Sequence, residues 1–294
     1  MANFKAIRIR ISSVKSTRQI TSAMKMVSAA KLRRAQDKIV RLRPYANKLY
    51  EILVGLSQSL YDTEVDNVYA RVSAPDKVLI VVITSNRGLC GAFNANVIKE
   101  TRRIVSEKYY EQFSKGNLKL LTIGKKGFDY FRKQTVKLLP EQNNLLNNLT
   151  FDNVALVADQ IMNSFIKGEF DRVELVYNQF KNAAVQNLTH EGFLPVQTVT
   201  AGKEKIVPVD YIYEPSQEEI IQELIPKSLK IQFYKAILDS FVAEHGARMT
   251  SMHKATDNAT EIIRDLTLQY NKARQAAITN QILEVVSGAE ALRG

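Results

Sequence analysis

An apolar stripe that advances by alternating steps of three and four residues marks both ends of this chain and limits what it can fold into. At the amino end Phe4, Ile7, Ile11 and Val14 open the register. It passes the polar residues Arg18, Thr21, Lys25 and Ser28, then becomes apolar again at Leu32, Ala35, Ile39, Leu42, Ala46, Leu49, Leu53, Leu56 and Leu60. Such steps keep one helix face turned toward a partner helix, the condition for a left-handed coiled coil. In the polar stretch, Ile20, Met24 and Val27 are expected to move the apolar surface slightly around the helix. A helix of about 60 residues would be roughly 90 Å long. Pro44 interrupts the backbone ladder at a cost of about 3 kcal/mol. Each buried Leu or Ile contributes about 1.5–3 kcal/mol, and the register is the same on both sides of the proline, so a kinked but unbroken helix is expected.

The carboxyl end repeats the pattern through Leu238, Val242, His245, Met249, Met252, Thr256, Ala259, Ile263, Leu266, Tyr270, Ala273 and Ala277. Pro215 and Pro226 bound the early part of this second helix, with Pro226 a candidate interruption. Two such segments at opposite ends of one chain imply an antiparallel intramolecular pair, because the middle has to leave and return.

The middle alternates between strand and helix patterns. Residues 77–84 read as a buried strand, followed by the turn Ser85-Asn-Arg-Gly-Leu-Cys-Gly91 and a helix from about Asn94. Leu118 to Ile123 is a second strand, and Gly124-Lys-Lys-Gly127 opens another helix. Val154 to Ile166 is helical, Arg172 to Phe180 is a third strand, and Leu194 to Thr200 adds a further strand pattern. The expected class is α/β: a long antiparallel coiled coil of N- and C-terminal helices plus a Rossmann-like α/β domain with a mainly parallel sheet. The divisions read as 1–61 for the first helix, 72–208 for the α/β domain and 209–294 for the second helix.

Charge adds a partner. The first fifty residues hold thirteen Lys or Arg against the single acid Asp37, a net of +12, whereas the rest of the chain nets −1. A merely solvated helix face mixes signs to gain i,i+4 pairs, so the stripe Lys31, Arg34, Lys38, Arg41 and Lys48 points to an acidic partner. Nucleic acid competes for such a stripe, but no groove-reading or base-stacking module accompanies it. Met1 to Ser16 is basic and contains Ser, as a transit peptide is; its apolar spacing continues in phase for dozens of residues, so it is read as helix and not as a leader. The longest aliphatic run, Val78 to Ile83, is too short to span a bilayer.

Catalytic signals are weak. Arg87-Gly-Leu-Cys-Gly91 lies where α/β proteins bind phosphates, but it is not G-x-G-x-x-G, and Gly124-Lys-Lys-Gly127 lacks P-loop spacing. Both read as tight strand-to-helix turns, although an α/β nucleotide enzyme with helical extensions stays a competing reading. Cys90 reads as a small buried thiol, in a chain whose lone cysteine fits a reducing compartment. His190, His245 and His253 show no metal-ligand grouping, and neither a catalytic motif nor a cofactor fingerprint is present, so no catalytic residue, metal site or cofactor is expected. Near the carboxyl end, Arg274, Gln275 and Thr279 place polar groups within about a turn and a half of helix. Beyond them Ile278, Ile282, Leu283, Val285 and Val286 form an apolar end with no obvious partner in the chain, the usual mark of an interaction site.

Three stretches resemble the gamma subunit of F-type ATP synthases: residues 7–31 at the start, Ser85 to Gly91 in the middle, and Ala247 to Asn258 with Tyr270 to Thr279 near the end. The resemblance spans essentially the whole chain and implies a non-catalytic rotor shaft, one copy per complex. Its partners would be the alpha and beta subunits, the epsilon subunit and the c-ring, with proton flow through the ring driving rotation. By this likeness Arg274, Gln275 and Thr279 contact an acidic loop of the beta subunit. Met24 and Arg248 couple shaft orientation to catalytic state, and Tyr211, Tyr213 and Glu214 lie in the foot near the c-ring or epsilon. Ile282, Leu283, Val285 and Val286 would form an apolar bearing tip. The implied location is the cytoplasmic face of a bacterial inner membrane, held there through the c-ring.

Overall fold

Each terminal register becomes one long helix, α1 over Phe4–Ser59 and α6 over Gln217–Ala291. The computed structural model describes residues 4–59, 68–71, 74–196 and 217–292. Pro44 and Pro226 both lie inside helices, and neither ends one. Along α1, the register residues from Ile7 to Leu49 are all buried or half-buried, including the polar members Thr21 and Ser28. Along α6, every register residue from Leu238 to Ala277 is likewise at least half-buried. Leu60 and the side chains of Phe4, Leu53 and Leu56 lie outside the described residues. The expected rotation of the apolar surface is not seen at Ile20 and Val27, which are 60% and 57% exposed, while Met24 is half-buried. The seam stays on Thr21 and Ser28, because shifting it for two residues would break the stagger that the flanking apolar residues set.

The chain forms two compact units, Met1–Ala29 with Arg248–Gly294, and Ala30–Ala247. In the first, Thr21 of α1 meets Thr256 of α6 through their hydroxyls at 2.9 Å. In the second, Arg43 of α1 pairs with Asp239 of α6 at 3.1 Å. Each unit thus has its own contact between α1 and α6.

The second unit holds a five-stranded sheet of β1 (Val78–Ile83), β2 (Leu118–Ile123), β3 (Lys137–Leu138), β4 (Arg172–Phe180) and β5 (Gln186–Leu194), in the order β3-β2-β1-β4-β5. β1 runs parallel to β2 and β4, and β2 parallel to β3, while β5 returns antiparallel to β4. Both faces of the central strands are covered, which is why they read as unbroken apolar runs. On one face Val78, Ile80, Val82, Leu118, Leu120 and Val176 pack against α2 (Phe93–Glu107) and α4 (Lys125–Phe131) through Val97, Ile104 and Phe131. On the other, Leu79, Val81, Ile83, Leu121, Ile123 and Leu175 pack against α5 (Phe151–Ile166) and against Leu229, Phe233, Ala236 and Ile237 of α6. A short helix, α3 (Tyr110–Ser114), leads into β2. The helix read from Val154 begins earlier, at Phe151, where Thr150 Oγ1 caps the backbone N–H of Asn153 at 3.4 Å.

Of the strand expected at Leu194 to Thr200, only Leu194 is strand among the described residues: it closes β5, Pro195 and Val196 are not strand, and residues 197–200 lie outside the described residues. β5 carries Asn187, Thr189 and Glu191 on its way to Phe193 and Leu194, so most of it lacks the apolar content that marked the other strands.

Candidate functional site

Arg274, Gln275 and Thr279 sit on the last turns of α6 and are all exposed. The helix sets Gln275 and Thr279 one turn apart on one face, and Thr279 Oγ1 donates to the Gln275 carbonyl at 3.0 Å. Arg274 lies a quarter turn round, so the three present a polar arc and not a single cluster. From Arg274 to Leu292 every residue except Ala277 is exposed. Ile282, Leu283, Val285 and Val286 are 49–72% exposed, and no described residue of this chain covers them. An exposed group of aliphatic side chains at a helix end is a surface that water disfavours and a partner can take up.

Met24 and Arg248 lie in the same compact unit, Met24 half-buried and Arg248 buried. Met24 is three residues beyond Thr21, and Arg248 eight residues before Thr256. Tyr211, Tyr213 and Glu214 lie outside the described residues.

The phosphate-like turn is held by its own side chains. Ser85 N–H donates to Asn94 Oδ1 at 2.9 Å and Ser85 Oγ to the Arg87 carbonyl at 2.7 Å, while Asn94 Nδ2 donates to Cys90 Sγ at 3.2 Å. Cys90 is buried, as its surroundings predict. Leu89 takes a left-handed φ of 63° to complete the bend. At the next turn Gly124, with φ 103°, lets β1 and β2 approach so closely that a Cβ would lie 2.2 Å from the Thr84 carbonyl oxygen. These groups shape the turn. No cluster of His, Cys, Asp or Glu among the described residues could hold a metal ion, and no described helix is long and apolar enough to cross a membrane.

Two charged arrangements escaped the sequence reading. Glu174, near the start of β4, accepts from Lys108 Nζ at 2.6 Å and Tyr109 Oη at 2.5 Å, and pairs with His190 Nε2 at 2.5 Å. Burial works to raise its pKa, but the hydrogen bonds from His190, Lys108 and Tyr109 outweigh burial and hold the carboxyl at about 2. Burial, and then the carboxylate itself, push the Tyr109 phenol well above its ordinary range. The other is Arg43 with Asp239. An acid inside the apolar run Ala-Ile-Leu-Asp-Ser-Phe-Val signals a buried ion pair, but nothing in the spacing names its base.

Comparison with known proteins decides the family. The family model described as ATP synthase matches residues 3–292. The ATP synthase gamma chain of Flavobacterium johnsoniae is 56% identical over 294 residues, covering all of both chains. The chain belongs to the ATP synthase gamma-chain family. Among other members, the gamma chain of Flavobacterium psychrophilum is 55% identical, again over the whole of both chains. Among solved structures, a chain of the Tetrahymena thermophila mitochondrial ATP synthase central stalk and c-ring is 26% identical, with a TM-score of 0.55, covering 80% of this chain and 99% of that one. A chain of the Euglena gracilis mitochondrial ATP synthase, solved with its F1 part and c-ring, shares the fold at a TM-score of 0.68 with 21% identity, covering 98% of this chain and 94% of that one. A gamma-chain relative thus extends from end to end of this sequence, both long helices and the sheet included.

Proposed function

We infer that this chain is the central rotor of a proton-driven F-type ATP synthase and performs no nucleotide chemistry itself. The observation that carries this reading is the full-length likeness to gamma chains, at over half identity, in a chain whose terminal segments each form one long helix. Proton flow turns a c-ring, a foot at Tyr211, Tyr213 and Glu214 takes up that rotation together with epsilon, and the helix pair carries it to the alpha and beta subunits. Its asymmetric surface then moves the beta subunits in turn through binding, synthesis and release. One charge crossing 100 mV supplies about 2.3 kcal/mol, so several proton steps accumulate for each product.

The exposed polar arc suits a handle that must let go. Surface ion pairs are worth about 0–1 kcal/mol, whereas breaking a buried pair costs about 3–5 kcal/mol. Arg274, Gln275 and Thr279 are accordingly proposed to touch an acidic loop of the beta subunit, with Met24 and Arg248 relaying shaft orientation. Ile282, Leu283, Val285 and Val286 are proposed as a bearing, since apolar contact has no preferred direction. On this reading the divisions 1–61, 72–208 and 209–294 are first shaft helix, foot domain and second shaft helix. The complex sits at the cytoplasmic face of a bacterial inner membrane, with one copy of the chain in each.

Affinity purification of the tagged chain from its native cells tests the assignment. Alpha and beta subunits, epsilon and the c-ring are expected to accompany it, and the isolated chain is expected not to turn over ATP. Recovery of the chain without alpha and beta, or stoichiometric ATP hydrolysis by the chain alone, would overturn the reading.

A further inference from the structure

Arg43 joins three elements, α1, α6 and β4, at a point where apolar side chains surround it. Its Nη2 donates to Asp239 Oδ1 on α6 at 3.1 Å and to the carbonyl of Phe180, the last residue of β4, at 3.2 Å. The Asp239 side chain is fully buried, while that of Arg43 is 41% exposed and forms part of a cleft of about 370 Å³ lined also by Gln36, Ile39, Val40 and Phe180. Around this joint α6 meets the sheet through Leu229, Phe233, Ala236 and Ile237, and α1 adds Ile52 to the edge of the same core.

Apolar contact sets how close two elements come but is nearly indifferent to their direction. A helix held only that way can roll or slide by small amounts at little cost. A guanidinium held by acceptors on two different elements is directional, because its hydrogen bonds weaken steeply off line. Polar contacts in an apolar seam have their best-attested use in setting register. A second feature seats the same end of the sheet: Gly246 of α6, two turns after Asp239, admits the backbone between β4 and β5, where a Cβ would lie 3.2 Å from Ala183 Cα. Burial pushes the Asp239 carboxyl upward, while Arg43 first, and then Lys235 and the Phe180 backbone, pull it down.

We propose that Arg43 is the pin that fixes the rotational phase and register of α1 against α6 and β4, so that this part of the helix pair and the sheet turn as one body. The assignment deepens the rotor reading and rests on it, since phase matters only in an element that carries torque. Arg43 is a positioning residue: it acts through the elements it holds.

Arg43→Ala leaves Asp239 buried without its base, and the chain risks misfolding. The informative variant is Arg43→Met with Asp239→Asn, which removes both charges at nearly constant volume. In immobilised complexes of the chain with alpha and beta subunits, a bead attached at Lys133→Cys, an exposed site on the sheet domain, reports angular fluctuation during pauses. The paired variant is expected to rotate on ATP with its angular variance widened about two-fold, as when one of two comparable restraints is lost. Arg43→Lys with Asp239 intact is expected to restore most of the stiffness. Rotation with an unchanged variance would overturn the pin, whereas a wild-type complex whose bead does not rotate would overturn the rotor reading instead. If the paired variant does not assemble, hydrogen exchange on the free chain decides. Faster exchange both around Ile39 and at residues 180–186 supports the pin, and unchanged exchange overturns it.

Discussion

The hydroxyls of Thr21 and Thr256 meet at 2.9 Å across the seam between the two long helices, each also within hydrogen-bond reach of a carbonyl on its own helix, those of Arg18 and Met252. A polar pair can occupy an apolar seam here because one hydroxyl can donate to the other, which in turn donates to a carbonyl of its own helix. Thr21→Val alone is expected to lower stability by about 0.5–1.5 kcal/mol, since it leaves the facing hydroxyl one bond short. Thr21→Val with Thr256→Val is expected to be nearly neutral, because both partners become apolar at almost the same shape. Denaturant unfolding of the two singles and the double checks this: simple additivity would mean the hydroxyls do not interact.

Gly124 is expected to tolerate no side chain. With φ at 103° and the Thr84 carbonyl 2.2 Å from where a Cβ would stand, Gly124→Ala forces apart β1 and the turn that follows β2. A loss of several kcal/mol, read as an insoluble or loosely folded chain, is the expected outcome. Gly88→Ala, whose Cβ would come no nearer than 3.7 Å to Lys126, is the matched control and is expected to fold.

Glu174 predicts a pH dependence. Its folded pKa is depressed to about 2, so its contribution is fully present above the ordinary carboxylate range and lost as pH falls from about 4.5 to 2. Glu174→Gln is therefore expected to lower stability at pH 7 by about 3 kcal/mol, with the deficit closing toward pH 2. Chemical unfolding of both proteins across that range measures it, and a deficit that does not vary with pH would remove the electrostatic explanation.

Arg274→Ala with Gln275→Ala separates contact from folding. Both side chains are exposed, so the stability of the free chain is expected to change by less than about 0.5 kcal/mol. In the assembled complex, ATP synthesis driven by a proton gradient is expected to fall clearly. Unchanged synthesis would count against the beta-subunit contact.

The parts of this fold that a sequence displays are those where burial imposes a period. The seam from Ile7 to Ala277 was readable because a buried stripe on a helix must recur every three or four residues, and β1, β2 and β4 because burial on both faces demands an unbroken apolar run. What burial does not dictate stayed hidden. β5 is an edge strand with polar residues along most of its length, and β3 has only two residues, so neither carries a period to read. Ile20 and Val27 misled for the opposite reason: they are apolar but face outward, and the register of their neighbours outweighs them. At the candidate site, the exposed aliphatic tip was legible because nothing nearby in sequence could cover it. The partners of Asp239 and Glu174 were not, because a charge pair formed across 196 or 66 residues leaves no local spacing to recognise.

Arg43 is followed directly by Pro44, an exposed residue inside α1. Proline has no N–H to give, so the carbonyl four residues earlier, that of Val40, lacks its helical donor. Val40 is 64% exposed, which leaves water to take the donor's place. A rod bends first where a rung of its ladder is missing, and in α1 that rung lies one residue from the clasp to Asp239 and β4. A weakened point of the helix thus adjoins an anchored one, and flexure begun there meets a brace before it can travel along the axis.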